Sequence, residues 1–130
     1  MHTPKTIIAI AIAASLAVAA TGCSAASVPA ADGKIIAVGA ENQYSSVISQ
    51  IGGRYVSTTS ILSDPNTDPH TFEASAQVAR TISQAGLIVQ NGLGYDAFMG
   101  KLEAASPNSA RTVITAQSVL HLPDSTENPH

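Results

Sequence analysis

Two short strings hold the side chains best suited to chemistry in this sequence: Asp68-Pro69-His70, within the stretch from Ser63 to Glu73, and Asn128-Pro129-His130. In each, a residue whose side chain can cap a helical turn precedes a proline, and a histidine follows in the first turn. The proline fixes its own φ near about −65°, so the histidine stands on a stiff support. Two imidazoles presented in one local geometry by separate loops suit a divalent metal of borderline softness. Zinc fits best, and manganese fits where carboxylates complete the shell. Asp68 and Glu73 stand near enough to His70 in sequence to accept the proton of its distal ring nitrogen and so fix its tautomer. Spacing alone leaves the plainer reading open, in which His70 and His130 are exposed loop histidines. His121, between Leu120 and Leu122, reads as a surface or half-buried histidine with no ligand role, and His2 lies in an N-terminal leader.

A third string, Asn91-Gly92-Leu93-Gly94-Tyr95-Asp96-Ala97, matches a G-x-G-x-x-A dinucleotide fingerprint between a strand and a helix. The match is weak, because this is the third strand-to-helix turn and no acidic residue ends the fourth strand to hold a ribose. Nor do Gly94 to Lys101 form a phosphate loop, since Leu102 follows Lys101 where Ser or Thr is required. A tight turn with glycines at positive φ is the preferred reading. No G-x-S-x-G or H-E-x-x-H motif and no paired-carboxylate arrangement is present, which lowers the case for a hydrolase.

The elements that must position these strings follow from apolar spacing. Lys34 to Gly39 is a short, nearly all-apolar run ended by glycine, the pattern of a strand covered on both faces. Tyr44, Val47, Ile48 and Ile51 form one helix face, which Gly52-Gly53 stops. Tyr55 to Ile61 is β-branched and fits a second strand. After the polar loop from Leu62 to Ala74, Val78, Ala79, Ile82 and Ala85 make a second helical stripe, N-capped by Ser75 and ended at Gly86. Leu87 to Gln90 is the third strand. Tyr95, Phe98, Met99 and Leu102 mark a third helix that Ser106-Pro107-Asn108 breaks, and Arg111 to Thr115 is the fourth strand. Such alternation predicts an α/β fold, an open parallel sheet with flanking helices. Ligands of these sheets sit beyond the carboxyl ends of the strands, where the DPH and NGLG strings fall.

Composition narrows the function further. Six Lys plus Arg against nine Asp plus Glu give a formal charge of −3, with no basic cluster to neutralise phosphates, so no nucleic-acid partner is expected. The single cysteine rules out an intrachain disulfide and every Cys-based zinc module. That cysteine, Cys23, follows an apolar run from Ile7 to Ala20 broken only by Ser15. The run, at about 1.5 Å per residue, is too short to span the hydrocarbon core, so residues 1–22 read as a secretory signal peptide. Ala20-Thr21-Gly22-Cys23 resembles a bacterial lipobox, which makes Cys23 the expected lipidated N-terminus. Residues 23–33, rich in Ala and Ser, then form a flexible tether, and residues 34–130 form the folded lobe.

Taken together, ILSDPNTDPHTFE (Ile61 to Glu73), GAENQYSSVISQIGG (Gly39 to Gly53), VQNGLGYDAFMGKL (Val89 to Leu102) and the final NPH closely resemble the solute-binding lipoproteins of zinc/manganese ABC importers, the TroA/ZnuA-like family, some of which are labelled adhesins. The resemblance implies two βα lobes joined by a long helix, with metal in the cleft between them, bound by two histidines of the first lobe and two ligands of the second. It implies that His70 and His130 are the first-lobe ligands, and that Zn²⁺ or Mn²⁺ is the transported ligand. A membrane permease is the implied partner, and a lipid anchor at Cys23 places the protein on the outer face of the cell membrane. Members are more than twice this length, so the sequence reads as the N-terminal lobe of an incomplete chain. A binding protein and not an enzyme is the expected function. The alternatives are a small exported α/β enzyme or nucleotide-binding protein using the turn from Gly92 to Ala97, and a surface adhesin whose metal is incidental.

Overall fold

A computed structural model of the chain describes residues 33–124. Four strands, β1 (Ile35–Glu41), β2 (Val56–Leu62), β3 (Leu87–Gln90) and β4 (Thr112–Thr115), form one sheet in the order β2-β1-β3-β4. Every pairing is parallel, with Val38 opposite both Thr59 and Ile88. The helices are α1 (Asn42–Gly52), α2 (Ala76–Gln84), α3 (Ala97–Ala105) and the short α4 (Ala116–Val119). The α/β, open parallel sheet read from apolar spacing is the one observed.

One face of the sheet carries the core. Val38 and Ala40 of β1, Leu62 of β2 and Ile88 of β3 pack with Ile82 and Ala85 from the α2 end and with Phe98 and Met99 of α3. Residues i and i+2 of a strand share a face, so Val38 and Ala40 enter this core together while Gly39 turns to the other side. There α1 lies close. A Cβ built on Gly39 would overlap the backbone nitrogen of Ser45, so only glycine lets the helix approach. Gly39 therefore does not end the strand, as the sequence suggests; β1 continues through Ala40 and Glu41.

Two further boundaries differ from the sequence reading. Tyr55 lies in a 3-10 turn ahead of β2, and Tyr95 lies in the turn before α3 instead of on its stripe. Of the expected α1 stripe only Ile48 is buried; Val47 and Ile51 are exposed. The cause is coverage: they border an apolar groove with Leu87, Val89, Ile114 and Val119, over which no described helix lies. Ser75 N-caps α2, accepting from the Val78 N–H at 3.3 Å. Arg111 joins the far ends of α2 and α3, its guanidinium donating to the carbonyls of Ile82 (2.9 Å), Ala85 (3.3 Å) and Ser106 (3.1 Å). No described helix is long and apolar enough to cross a membrane.

Candidate metal centre

β1 lies between β2 on one side and β3 on the other, so the chain leaves β1 toward one edge of the sheet and β3 toward the other, opening a crevice at the carboxyl ends. The long loop after β2 folds over that edge. In it, Asp64 accepts from the Asn66 backbone N–H and side-chain amide at 2.9 and 3.0 Å, closing a tight turn. Asp68 then caps a 3-10 turn of Pro69, His70 and Thr71, its Oδ1 accepting from the His70 N–H at 2.9 Å. Pro69 occupies the first position of the turn and is buried, which pins the turn to the body of the protein.

His70 thus has its backbone satisfied and its side chain exposed at the carboxyl edge, the ring edge-on to Tyr95 with centroids 5.7 Å apart. For Asp68-Pro69-His70 the cap-proline-histidine grammar is realised as read. The tautomer-fixing role is not, because Asp68 spends its carboxylate on the backbone and, among the described residues, neither it nor Glu73 bonds the imidazole. His121 is exposed at positive φ and joins nothing at this edge. Cys23 and His130, like residues 1–22 and most of the expected tether, lie outside the described residues. Among the described residues no three His, Cys, Asp or Glu side chains converge on one point.

The glycine turn after β3 explains itself structurally. Gly92 and Gly94 have φ of +83° and +77°, and Leu93 between them +54°. Asp96 reaches back across the turn and accepts from the Asn91 N–H at 2.5 Å and the Gly92 N–H at 3.0 Å, while Gln117 accepts from the Leu93 N–H at 3.2 Å. A phosphate needs such amides free, and here three of them are already bonded and a carboxylate occupies their focus. The fingerprint spacing is that of a self-capped turn.

Glu41, which the sequence reading does not single out, ends β1 at the same edge and is only 5% exposed. Burial, with Asp96 as a second negative group, pushes its carboxyl from the ordinary 4.5 up to about 7. Burial likewise raises Tyr44 to about 12, and its hydroxyl donates to Asn91 Oδ1 at 2.7 Å. Because the folded Glu41 holds its proton to higher pH than the unfolded one, this group weakens the fold progressively as pH rises from about 4.5 through 7. With allowance for relaxation around the buried carboxyl, the penalty above that range is on the order of 2 kcal/mol. Glu41→Gln is therefore expected to match the parent chain near pH about 4.5 and to exceed its stability by that amount near pH about 8. Urea melts in a chelating buffer check this, and parallel pH profiles for the two proteins would refute it.

Comparisons with known proteins converge on one family. The family model described as zinc-uptake complex component A, periplasmic (ZnuA), matches residues 38–130. A putative metal-binding protein of Thermotoga maritima is 33% identical over 89 residues, 68% of this chain and 31% of that protein. The solved structure of the periplasmic zinc-binding protein TroA of Treponema pallidum superposes with a TM-score of 0.58 at 27% identity, covering 66% of this chain and 30% of its own. An Mn-bound periplasmic metal-binding protein of Candidatus Liberibacter asiaticus gives a TM-score of 0.62 at 22% identity over 75% of this chain and 38% of that one, which shows the shared fold. The chain spans less than two fifths of the length of these relatives. The matched span takes in nearly the whole four-stranded sheet, the DPHTFE string and the glycine turn, and runs on to the closing NPH; on that match the chain belongs to the ZnuA family of periplasmic zinc-uptake components.

Proposed function

We propose that this chain forms part of the extracytoplasmic solute-binding component of a divalent-metal importer, with His70 and His130 as ligands to Zn²⁺ or Mn²⁺ and a membrane permease as the recipient. One observation carries the reading. In a chain of this family, His70 is the exposed imidazole of a turn whose backbone Asp68 has already satisfied, at the carboxyl edge where a parallel sheet takes its ligands. Against the competing nucleotide reading, the amides of Asn91, Gly92 and Leu93 in the glycine turn are already bonded.

Calorimetric titration of Zn²⁺ and Mn²⁺ into the full chain, beside His70→Ala and His130→Ala, tests the assignment. Two imidazoles supply two of the four positions of a tetrahedral ion, so loss of either should weaken binding sharply. Sub-micromolar binding that survives His70→Ala would place the metal elsewhere.

The same reading, with the apolar run and the Gly22-Cys23 step that follows it, makes Cys23 the lipid-bearing N-terminus; one acyl chain anchors only marginally, so several would hold it to the membrane. Metabolic labelling with a fatty acid should mark the parent chain and not Cys23→Ala. Equal label in both would remove the anchor from the proposal.

A further inference from the structure

The carboxyl edge holds a second group of oxygen donors that the His70 turn does not use. Neither carboxylate oxygen of Glu41 has a hydrogen-bond partner among the described residues, although the side chain is almost wholly removed from solvent. A buried carboxylate without donors is costly, and proteins ordinarily pair it. Asp96, its neighbour in burial, shows the ordinary solution, with two backbone amides on its oxygens. Among the described residues the charged group that acts on Glu41 is Asp96, another acid, so no positive group of the described chain balances it when it is ionised.

Glu41 borders a cleft of about 200 Å³, shared with Asn42, Gln43, Asp64, Thr67 and Tyr95. That is room for an ion and several waters, since one water needs only about 10 to 15 Å³ by the same kind of measure. Among the described residues the cleft lining includes two carboxylates, two side-chain amides and two hydroxyl-bearing residues, and no Lys, Arg or His. Asp64 uses Oδ1 in its own turn and keeps Oδ2 without a partner among the described residues. A donor set of oxygens alone, with two negative charges, suits a hard cation that accepts six to eight oxygens and retains some of its waters. His70 does not line this cleft; Tyr95 does, and stands edge-on to the His70 ring. We propose that the cleft beside Glu41 binds a hard divalent cation of the calcium class through Glu41 and Asp64, at a position distinct from the His70 imidazole. Two carboxylates place its affinity in the range of extracellular calcium modules, a Kd of about 10⁻⁴ to 10⁻³ M.

Terbium luminescence tests this on the full chain, because Tb³⁺ occupies calcium sites and is sensitised by a nearby tyrosine. The sequence has no tryptophan, and Tyr95 lines the cleft. Saturable emission is expected, displaced by Ca²⁺ at millimolar levels. Glu41→Gln and Asp64→Asn should each weaken Tb³⁺ and Ca²⁺ binding by about tenfold or more, and His70→Ala should leave both unchanged. Glu41→Gln preserves side-chain volume and Asp64 is exposed, so both variants are expected to fold, which circular dichroism monitors. Emission that persists in both carboxylate variants, emission lost equally in His70→Ala, or no emission together with no calcium heat would each overturn the site. Zinc binding at His70 is read separately, so failure here leaves that assignment standing.

Discussion

Gly39→Ala is expected to destabilise the protein by about 3 kcal/mol, at the upper end of ordinary overpacking costs. The added methyl would overlap the Ser45 backbone nitrogen and stand 2.9 Å from both the Glu41 carbonyl oxygen and the Ser45 Cα. All three are main-chain atoms, so no rotamer change relieves the overlap, and α1 must lift from the sheet. Lifting α1 also moves Tyr44, whose hydroxyl reaches Asn91 across the crevice, and opens the cleft beside Glu41. Gly100 provides the contrast: it lies within α3, and a methyl added there meets nothing inside 4 Å. Gly100→Ala should gain about 0.5 to 1 kcal/mol through helix propensity alone. Denaturant melts of the two variants check the pair. A Gly39→Ala loss below about 1 kcal/mol would mean that α1 is free to shift at little cost.

What the sequence reveals and what it hides divide along the range of the interactions involved. The cap of His70 by Asp68 and of α2 by Ser75 rests on residues two or three apart, and local grammar of that kind is visible in a string. The apolar runs of β1 and β3 are visible for the same reason. Gly39 misleads because a strand-ending glycine and a glycine crowded by a helix look alike in sequence; only the docking of α1 tells them apart. Tyr95 keeps helical spacing with Phe98, Met99 and Leu102, yet Asp96 draws its own carboxylate back to Asn91 and Gly92, and the helix begins only after it. Glu41 gives no signal at all. It is buried at the rim of a cleft that it shares with Leu62, Asp64 and Tyr95, which arrive from distant points of the chain. A charged residue after an apolar run reads as the solvated end of a strand until those loops close over it.

Asp96→Ala is expected to cost about 3 kcal/mol for a related but opposite reason: the fault is a set of donors left alone in place of a space overfilled. Asp96 is 4% exposed, and burial raises its carboxyl above the ordinary 3.8 while the hydrogen bonds from Asn91 and Gly92 pull it back down. Burial outweighs the amides, which nonetheless favour the charged form. Removing the carboxylate strands both amides in a part-buried turn, at about 1 to 3 kcal/mol for each buried donor left unsatisfied. It also releases a turn in which Gly92, Leu93 and Gly94 all hold positive φ, and positive φ at Leu93 is unfavourable without such restraint. Asp96→Asn should lose roughly half as much, since one oxygen can still accept while its NH₂ confronts the second amide. Loss of the negative charge has a further consequence at Glu41, because Asp96 is one of the two causes that raise it. In both variants the Glu41 carboxyl should titrate at lower pH than in the parent chain, and the pH dependence of stability between about 4.5 and 7 should flatten. Urea melts across that range measure both effects together. A drop in stability with an unchanged pH profile would show that Glu41 does not sense Asp96, and a stability change under about 1 kcal/mol would show that the turn is held by Gln117 and the backbone without it.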